Sequence, residues 1–263
     1  MIGAIIGDYV GSAYEFHNTK DYNFEIITPA SEITDDSIMS IAIADAILQG
    51  KPYAERMRYW GNEYPTPKGA YGGSFSSWLH SSSPQPYNSW GNGSAMRVSP
   101  IGWAFDSLEQ TLLQAKLSAE CTHNHEEGIK GAQATATAIF LARQGETKQG
   151  IKKYIESKFG YNLSFKIADI KDIYKFDESC QGTVPPAIVC YLESTSFEDA
   201  IRLAVSLGGD SDTLGCITGS IAEADHAYSI PAYLQDAAFD TVPSDLAAIV
   251  EQFTNKYRKS EAK

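Results

Sequence analysis

Two clusters of carboxylate and hydroxyl side chains each come directly before a segment with helical periodicity. Thr34-Asp35-Asp36 precedes a helix pattern from Ile38 to Leu48, and Asp210-Ser211-Asp212-Thr213 opens a second pattern from Leu214 to Tyr228. Either cluster alone is explained by an N-cap with acids that favour a helix start. Two such clusters beside apolar helices would bury adjacent carboxylates at high cost without a compensating charge. Oxygen ligands without Cys or His favour hard ions such as Mg²⁺ or Mn²⁺, and four carboxylates with two hydroxyls could hold two of them.

Three glycine-containing motifs could also take part in chemistry. Tyr71-Gly72-Gly73-Ser74 and the stretch from Trp90 to Arg97 are loops of a kind that presents backbone N–H groups to phosphate oxygens, although ordinary turns explain them equally well. The motif GDxxGSxxE at 7–15 is, taken alone, most simply the end of an N-terminal helix with a turn at Gly11. We expect Arg97 to be buried and to pair with an acid of one of the two clusters.

The rest of the sequence predicts mainly helices, which must position these motifs. Phe24 to Thr28 and Leu163 to Ile167 are at best short strands, and 61–93 and 160–183 are expected to be long loops. The polar stretch Asp177 to Pro185 could line a cleft before a helix that starts at Pro186. Further helices are predicted over Leu108 to Glu120, Glu127 to Arg143, Thr147 to Phe159, and from a cap at Ser196 to Leu207. No linker or internal repeat is evident, so we predict one all-α domain over residues 1–263.

Composition excludes several classes of protein. The 263 residues carry 33 acids against 21 basic side chains, a formal net charge of −12, which disfavours bulk binding to nucleic acid or to anionic lipid. A hydrophobic content of 43% is sufficient for a sizeable core. The four cysteines have neither a CxxC spacing nor a ligand cluster, and no signal peptide or membrane span is apparent. We therefore expect a cytoplasmic monomer with free thiols.

The motifs taken together resemble the ADP-ribosylglycohydrolase family. They occur in the family's order between Ile2 and about Tyr228: GDxxGSxxE, TDDS at 34–37, GNGSAMR at 91–97, the Thr122-His123 segment and GGDSDT at 208–213. The resemblance implies an all-α, orthogonally packed helical domain with two divalent cations, Mg²⁺ or Mn²⁺, at the base of a cleft. It also implies hydrolysis of the bond between C1″ of ADP-ribose and an acceptor, so the expected partner is the ADP-ribose moiety of a modified protein or of another acceptor.

The same resemblance implies roles for individual residues. Metal ligands would come from one helix start as Thr34, Asp35 and Asp36, and from the other as Asp210, Asp212 and Thr213. Glu15 would approach the scissile bond from a flexible loop, so the catalytic candidates are Glu15, Asp35 and Asp36. The adenosine side would be contacted by Trp90 and His123. Independently of the resemblance, His125 is interpreted as a helix cap or as a solvent-exposed residue. The diphosphate and proximal ribose would lie along Tyr71, Gly72, Gly73, Ser89, Trp90, Gly91, Asn92 and Gly93.

Two alternatives to this hydrolase remain open at the level of sequence. The chain could act on a free small ADP-ribose derivative, or it could be a non-catalytic relative that binds ADP-ribose or serves structurally. Retention of all four acids argues against a purely structural role. The loops that select the acceptor in the family are short here, so the resemblance does not indicate the identity of the acceptor. Two bound divalent ions would change the formal charge from −12 to −8 and let an anionic diphosphate approach.

Overall fold

The computed structural model describes residues 1–258, and in that range the secondary structure is entirely helical apart from two isolated β-bridges. The predicted all-α fold class is therefore confirmed. Besides a 3₁₀ turn at Asn92–Ser94 there are fourteen α-helices: α1 (Ile2–Gly11), α2 (Asp35–Gln49), α3 (Tyr53–Glu63), α4 (Gly73–His80), α5 (Ser99–Ala104), α6 (Leu108–Glu120), α7 (Glu126–Arg143), α8 (Lys148–Phe159), α9 (Ile167–Ile170), α10 (Cys180–Glu193), α11 (Phe197–Leu207), α12 (Ser211–Ala224), α13 (Ala232–Phe239) and α14 (Ser244–Tyr257).

Helices α1 and α12 form the centre of the core because small residues let their backbones touch. Every residue of both helices is buried. A Cβ atom added to Gly7 would lie 1.9 Å from the carbonyl oxygen of Gly215, so no side chain fits there. Gly3 meets Gly219 in the same way one turn further along, and Gly11 meets Ser211. This close approach brings the end of α1 against the start of α12, where the second acid cluster lies.

The helix starts follow the capping residues of the sequence, with one informative exception. The side chain of Thr34 accepts a hydrogen bond from the backbone of Asp36, and Ser196 caps α11 in the same way. Asp210 occupies the N-cap position of α12 but makes no side-chain cap bond. Its carboxylate instead accepts a hydrogen bond from the Asn92 side chain.

The prediction of two short strands is wrong. Neither Phe24 to Thr28 nor Leu163 to Ile167 pairs with another segment, and the isolated bridges among residues 1–258 join Thr34 to Lys68 and Gly91 to Ser179. The apolar residues of these segments, Phe24, Ile26 and Leu163 among them, are buried against helices instead. The alternation of apolar and polar residues in these segments reflects burial of one side of an extended chain. Such burial does not require a sheet.

Helix boundaries differ from the predicted ones at three places. The expected loop 61–93 includes the end of α3 and all of α4, and 160–183 includes α9 and the start of α10. Helix α10 begins at Cys180, six residues before the predicted start at Pro186. Pro186 has no N–H for the carbonyl of Gly182, which accepts the Tyr174 hydroxyl instead at 3.0 Å. Helix α12 ends at Ala224 and not at Tyr228, because the Asp225 carboxylate accepts the Ala227 N–H and forms a turn.

Three further expectations concern the chain as a whole. No helix within residues 1–258 has the length and apolarity to cross a membrane. All four cysteines are free. The basic tail from Lys256 to Lys263, which from its composition alone is expected to be a solvated, frayed end, begins inside α14, and its residues 259–263 lie outside the described part of the chain.

Candidate metal centre and ligand cleft

A cleft of about 800 Å³ opens over the starts of α2 and α12. Almost every residue singled out from the sequence lines it, although the residues come from six separate segments. Thr34 is the exception and lies fully buried at the start of α2. The predicted residues that line the cleft are Glu15, Asp35, Asp36, Tyr71, Gly72, Gly73, Ser89, Trp90, Gly91, Asn92, Gly93, His123, Asp210, Asp212 and Thr213.

The two acid clusters meet at the floor of this cleft. Carboxylate oxygens of Glu15, Asp210 and Asp212 all lie within 4.8 Å of one another. The Thr213 hydroxyl donates a hydrogen bond of 3.4 Å to Asp36 Oδ1, which joins the start of α12 to that of α2. Asp36, Asp210 and Asp212 are only 2 to 5% exposed. Residues almost two hundred positions apart thus share one acidic site.

The electrostatics of the cluster favour a bound positive charge. Burial, and then the charge of Asp212, raises the pKa values of Asp35 and Asp36 well above their usual range. The pKa of Asp212 is raised by burial and by Asp210. For Glu15, burial and the charge of Asp212 raise the pKa to about 8. These carboxylates repel one another in a poorly hydrated site.

Unpartnered oxygens show that the donor set fits a divalent cation. Asp36 Oδ2, Asp212 Oδ1 and Glu15 Oε2 are buried and have no hydrogen-bond partner among residues 1–258. A buried carboxylate oxygen without a donor is costly, and a cation relieves that cost. Every available ligand atom is an oxygen, which is the donor that hard divalent cations prefer.

Asp8 supports this floor from α1 and was missed by the sequence analysis. Its carboxylate is fully buried and accepts the Thr34 N–H at 2.9 Å, the Thr34 hydroxyl at 2.8 Å, the Ser37 N–H at 3.1 Å and the Ser37 hydroxyl. Burial raises the pKa of Asp8 to about 6, although the hydrogen bonds from these four donors act to lower it. Asp8 therefore fixes the first turn of α2. The signal was present in the GDxxGSxxE motif, where we interpreted Asp8 only as part of a helix end.

The loop that carries Glu15 is tied to the loop before α12. The Asn18 side chain donates to the Glu15 carbonyl and to the Gly209 carbonyl, both at 2.9 Å, and accepts the Gly209 N–H at 2.7 Å. Lys20 donates to carbonyl groups of Lys171, at 2.7 Å, and of Leu207. Nothing in the sequence pattern identified Asn18 or Lys20. These contacts hold Glu15 beside Asp210 and Asp212.

Two glycine-rich segments form the upper walls of the cleft. Gly72 is the N-cap of α4 and has no side chain that could cap the helix. The first N–H groups of α4 therefore remain available to a ligand. Nothing lies within 4 Å of a Cβ built on Gly72 or Gly73, so the space above them is open. On the other wall, Asn92 donates from its side chain to Asp210 Oδ2 at 2.6 Å and thereby links the glycine loop to the floor.

Trp90 and His123 occupy the end of the cleft beyond the glycine loop. Trp90 is 52% exposed and packs edge-on against His125, with ring centroids 5.5 Å apart. His125 caps α7 as predicted, since its side chain accepts the Glu127 N–H. His123 is 5% exposed, and burial together with the charge of Arg97 lowers its pKa well below the usual value. The Trp90 indole thus remains available for stacking.

The prediction that Arg97 pairs with a cluster acid is wrong. Arg97 is buried as expected, but its guanidinium donates at 2.8 Å to the Ser118 carbonyl and at 2.8 Å to the Thr122 hydroxyl. None of the described carboxylates lies within salt-bridge distance of it. The physical reason is the end of α6, where unsatisfied carbonyl groups and the negative end of the helix dipole offer an alternative to an acid.

The side of the cleft beside Glu15 carries an aromatic pair that was not predicted. Phe16 and Phe176 stack with ring centroids 6.5 Å apart and planes 19° apart. They are 63% and 45% exposed, and both line the cleft. Asp177, Glu178 and Ser179 line it next to Phe176, as suggested for the polar stretch before α10.

Comparisons with known proteins show which family the chain is similar to. The model of the ADP-ribosylglycohydrolase family matches residues 1–263. A human relative, ADP-ribosylhydrolase ARH3, is 27% identical over 304 aligned positions that cover 85% of this chain and 83% of the relative. ADP-ribosylarginine hydrolase Tri1 from Pseudomonas putida is 24% identical over 257 positions, covering 85% of this chain and 68% of Tri1.

A solved structure has the same fold. It is titled "ADP-ribosylglycohydrolase-related protein complex" and superposes with a TM-score of 0.71, at 22% sequence identity, over 96% of this chain and 97% of its own. Family membership and these relatives support hydrolase activity toward ADP-ribose conjugates. A family match over the whole length, together with acid clusters that meet at the cleft floor, leads to one conclusion: the chain belongs to the ADP-ribosylglycohydrolase family.

Proposed function

We propose that this protein hydrolyses the bond between C1″ of ADP-ribose and an acceptor, and that it depends on divalent cations to do so. The observation that carries the proposal is the set of buried, unpartnered carboxylate oxygens on Asp36, Asp212 and Glu15 at the floor of an open cleft. Without a bound cation or polar ligand, three buried and unpartnered carboxylate oxygens would only destabilise the folded protein.

Two Mg²⁺ or Mn²⁺ ions would be held by the carboxylates of the two helix starts. The proposed ligands are Thr34, Asp35, Asp36, Asp210, Asp212 and Thr213. When bound, these cations supply charge neutralisation and Lewis-acid polarisation of an oxygen ligand. Asp8 and Asn92 keep the ligand carboxylates and the first turn of α2 in place through the hydrogen bonds described above.

The cleft walls suit the three parts of ADP-ribose. The adenine would stack on Trp90 with His123 beside the adenosine, and the diphosphate would run past the free N–H groups at the start of α4. The proximal ribose would then reach the acid cluster. An acceptor attached at C1″ would leave toward Glu15, Phe16 and Phe176.

The chain's own carboxylates can manage the protons and the charge of the reaction. In the hydrolysis, a water oxygen forms a bond to C1″, the bond from C1″ to the acceptor breaks, and the acceptor atom takes up a proton. Glu15 would deliver that proton and its carboxylate would then take up the proton that the attacking water loses, because it lies beside the acid cluster at the cleft floor. Asp35 and Asp36 stabilise the positive charge that develops on the ribose ring.

A release assay tests the proposal directly. Arginine-, serine- and nucleobase-linked ADP-ribose are each incubated with the protein in Mg²⁺, in Mn²⁺ and in EDTA, and free ADP-ribose is measured. Arginine-linked substrate comes first, because one relative is named an ADP-ribosylarginine hydrolase. We expect release from at least one substrate with metal and none with EDTA. Failure of every substrate under both metals would reject the hydrolase in favour of a protein that only binds ADP-ribose.

A further inference from the structure

His123 has one ring nitrogen facing the cleft and the other facing the protein. A Cβ atom built on Gly93 would lie 3.2 Å from His123 Nε2, and one built on Gly91 would lie 3.5 Å from it. The Nε2 atom therefore points at the glycine loop of the cleft. On the opposite edge of the ring, Nδ1 lies 2.8 Å from the Thr122 hydroxyl oxygen. The chemistry that His123 offers to a ligand depends on which nitrogen carries the proton.

Within hydrogen-bond distance the Thr122 hydroxyl has three partners among the described residues, and it has one proton to give. Arg97 Nη2 lies 2.8 Å from its oxygen, and because a guanidinium N–H can only donate, Thr122 accepts there. The two remaining candidates for the hydroxyl proton are His123 Nδ1, at 2.8 Å, and the Ala119 carbonyl oxygen, at 3.3 Å.

The Ala119 carbonyl is already occupied. It accepts the backbone N–H of Thr122 at 3.0 Å and that of His123 at 2.8 Å, which uses both of its lone pairs. His123 Nδ1 is nearer and has no other partner among the described residues. A hydroxyl that accepts from a guanidinium is also polarised into a better donor. The Thr122 proton is therefore directed at Nδ1.

We propose that Arg97 and Thr122 are positioning residues that fix His123 in the tautomer with its proton on Nε2. The neutral ring then presents an N–H donor to the cleft and selects a ligand group with a lone pair at that place, such as a ribose oxygen or a ring nitrogen of a nucleoside. The identity of that ligand rests on the function proposed above, whereas the tautomer rests only on the contacts of Thr122. The buried Arg97, which has no carboxylate partner among residues 1–258, thereby receives a role.

Histidine tautomers can be read directly by long-range ¹⁵N–¹H correlation spectroscopy on the labelled full-length protein. The chain provides two internal references. His125 Nδ1 accepts the Glu127 N–H at 3.1 Å, so its proton must lie on Nε2 when the ring is neutral. His80 Nδ1 lies 2.7 Å from the Ser76 carbonyl oxygen, which can only accept, so its proton must lie on Nδ1. The spectra are recorded about two units above the ordinary histidine pKa of ~6.5.

We expect His123, assigned by loss of its signals in His123→Asn, to show the pattern of His125. Thr122→Val should turn His123 into a mixture of the two tautomers and weaken ADP-ribose binding about five- to tenfold. Thr122→Ser keeps a hydroxyl and should restore both properties. The Tyr87 hydroxyl also faces Thr122 but is not among the hydrogen-bond partners of its hydroxyl, so Tyr87→Phe is the matched control, and it should leave the tautomer unchanged.

The outcomes separate this inference from the proposed function. A wild-type His123 with the pattern of His80 overturns the inference whatever the protein binds. Persistence of the Nε2 proton in a folded Thr122→Val variant removes Thr122 from its role. A wild-type His123 with the pattern of His125 that binds no ADP-ribose supports the tautomer and rejects the proposed function.

Discussion

Asp8 and Thr34 are joined by two hydrogen bonds, one from the Thr34 backbone N–H at 2.9 Å and one from its hydroxyl at 2.8 Å. Through them, a carboxylate on α1 fixes the residue at which α2 begins. The acids that follow, Asp35 and Asp36, point into the cleft from the first turn of that helix. The orientation of the cluster thus depends on a residue that does not line the cleft.

Asp8→Asn replaces one of these acceptor oxygens by a donor and should loosen the first turn of α2. We expect the free energy of unfolding to fall by about 1–3 kcal/mol and the affinity for Mn²⁺ to fall about ten- to a hundredfold. Denaturant titration and calorimetric Mn²⁺ titration measure the two effects. Asp169→Asn, at an exposed site, is the control and should change neither. Unaltered Mn²⁺ affinity in Asp8→Asn would show that the first turn does not need Asp8.

Asp212→Asn should have opposite effects on stability with and without metal. In EDTA, removal of one buried charge from a group of mutually repelling carboxylates should raise the melting temperature. With Mn²⁺, the variant should lose both the metal-dependent stabilisation and the hydrolase activity. Thermal melts under both conditions and the release assay check these outcomes. Full activity in Asp212→Asn would reject the metal assignment.

The raised pKa values of the cluster predict how the stability of the metal-free protein changes with pH. In the unfolded chain these acids titrate near about 4, whereas in the folded protein they hold their protons to higher pH, with Glu15 at about 8. Between these values the folded state binds more protons, so its stability should fall as the pH rises. Added Mn²⁺ competes with those protons, and its stabilising effect should grow over the same range.

Melting temperatures from pH 5 to pH 8, in EDTA and in Mn²⁺, measure this difference. Asp212→Asn provides the comparison, since its two curves should converge. A metal effect that is constant across the range would mean that the cluster carboxylates are already ionised at pH 5.

Asn18→Ala should release the Glu15 loop from the backbone of Gly209. Because Asn18 contacts the loop and no part of the cleft's far end, kcat should fall several-fold while affinity for ADP-ribose stays within about twofold. Steady-state kinetics and a binding titration separate the two. Asn255→Ala, exposed on α14, is the control. An equal loss of kcat and of ADP-ribose affinity would indicate a general disturbance of the cleft and not a displaced Glu15.

Most of the fold could be predicted because its signals are local. Helix periodicity and capping residues lie within a few positions of one another, so α2, α6, α8 and α11 were located closely from the sequence. The acid clusters were recognised for the same reason. Asp8 was missed because its partners are 26 and 29 residues away. Arg97 was assigned the wrong partner because a helix end, which offers carbonyl groups in place of an acid, is not visible as a charge in the sequence.

Phe16 and Phe176 offer a test of where the acceptor lies. Their two exposed aromatic rings stack at the cleft rim and offer an apolar contact to a ligand there. Replacing both by Ala should raise KM for an acceptor-linked substrate several-fold and leave the affinity for free ADP-ribose unchanged. Ile173→Ala, 74% exposed outside the cleft lining, is the control. A parallel loss of ADP-ribose affinity would place the pair at the ADP-ribose moiety itself.

The backbone contact between α1 and α12 has a consequence for the order in which the molecule is made. Gly11 accepts a hydrogen bond from the Ser211 hydroxyl, 200 residues later in the chain. During synthesis at roughly 5–20 residues per second, α1 must wait on the order of 10–40 s for the helix that covers it. Until then the face of α1 that packs against α12 has no partner, and the acidic floor is incomplete. Metal binding by a nascent chain would therefore indicate that α12 has left the ribosome and packed against α1. The acid cluster could thus serve to detect completed folding.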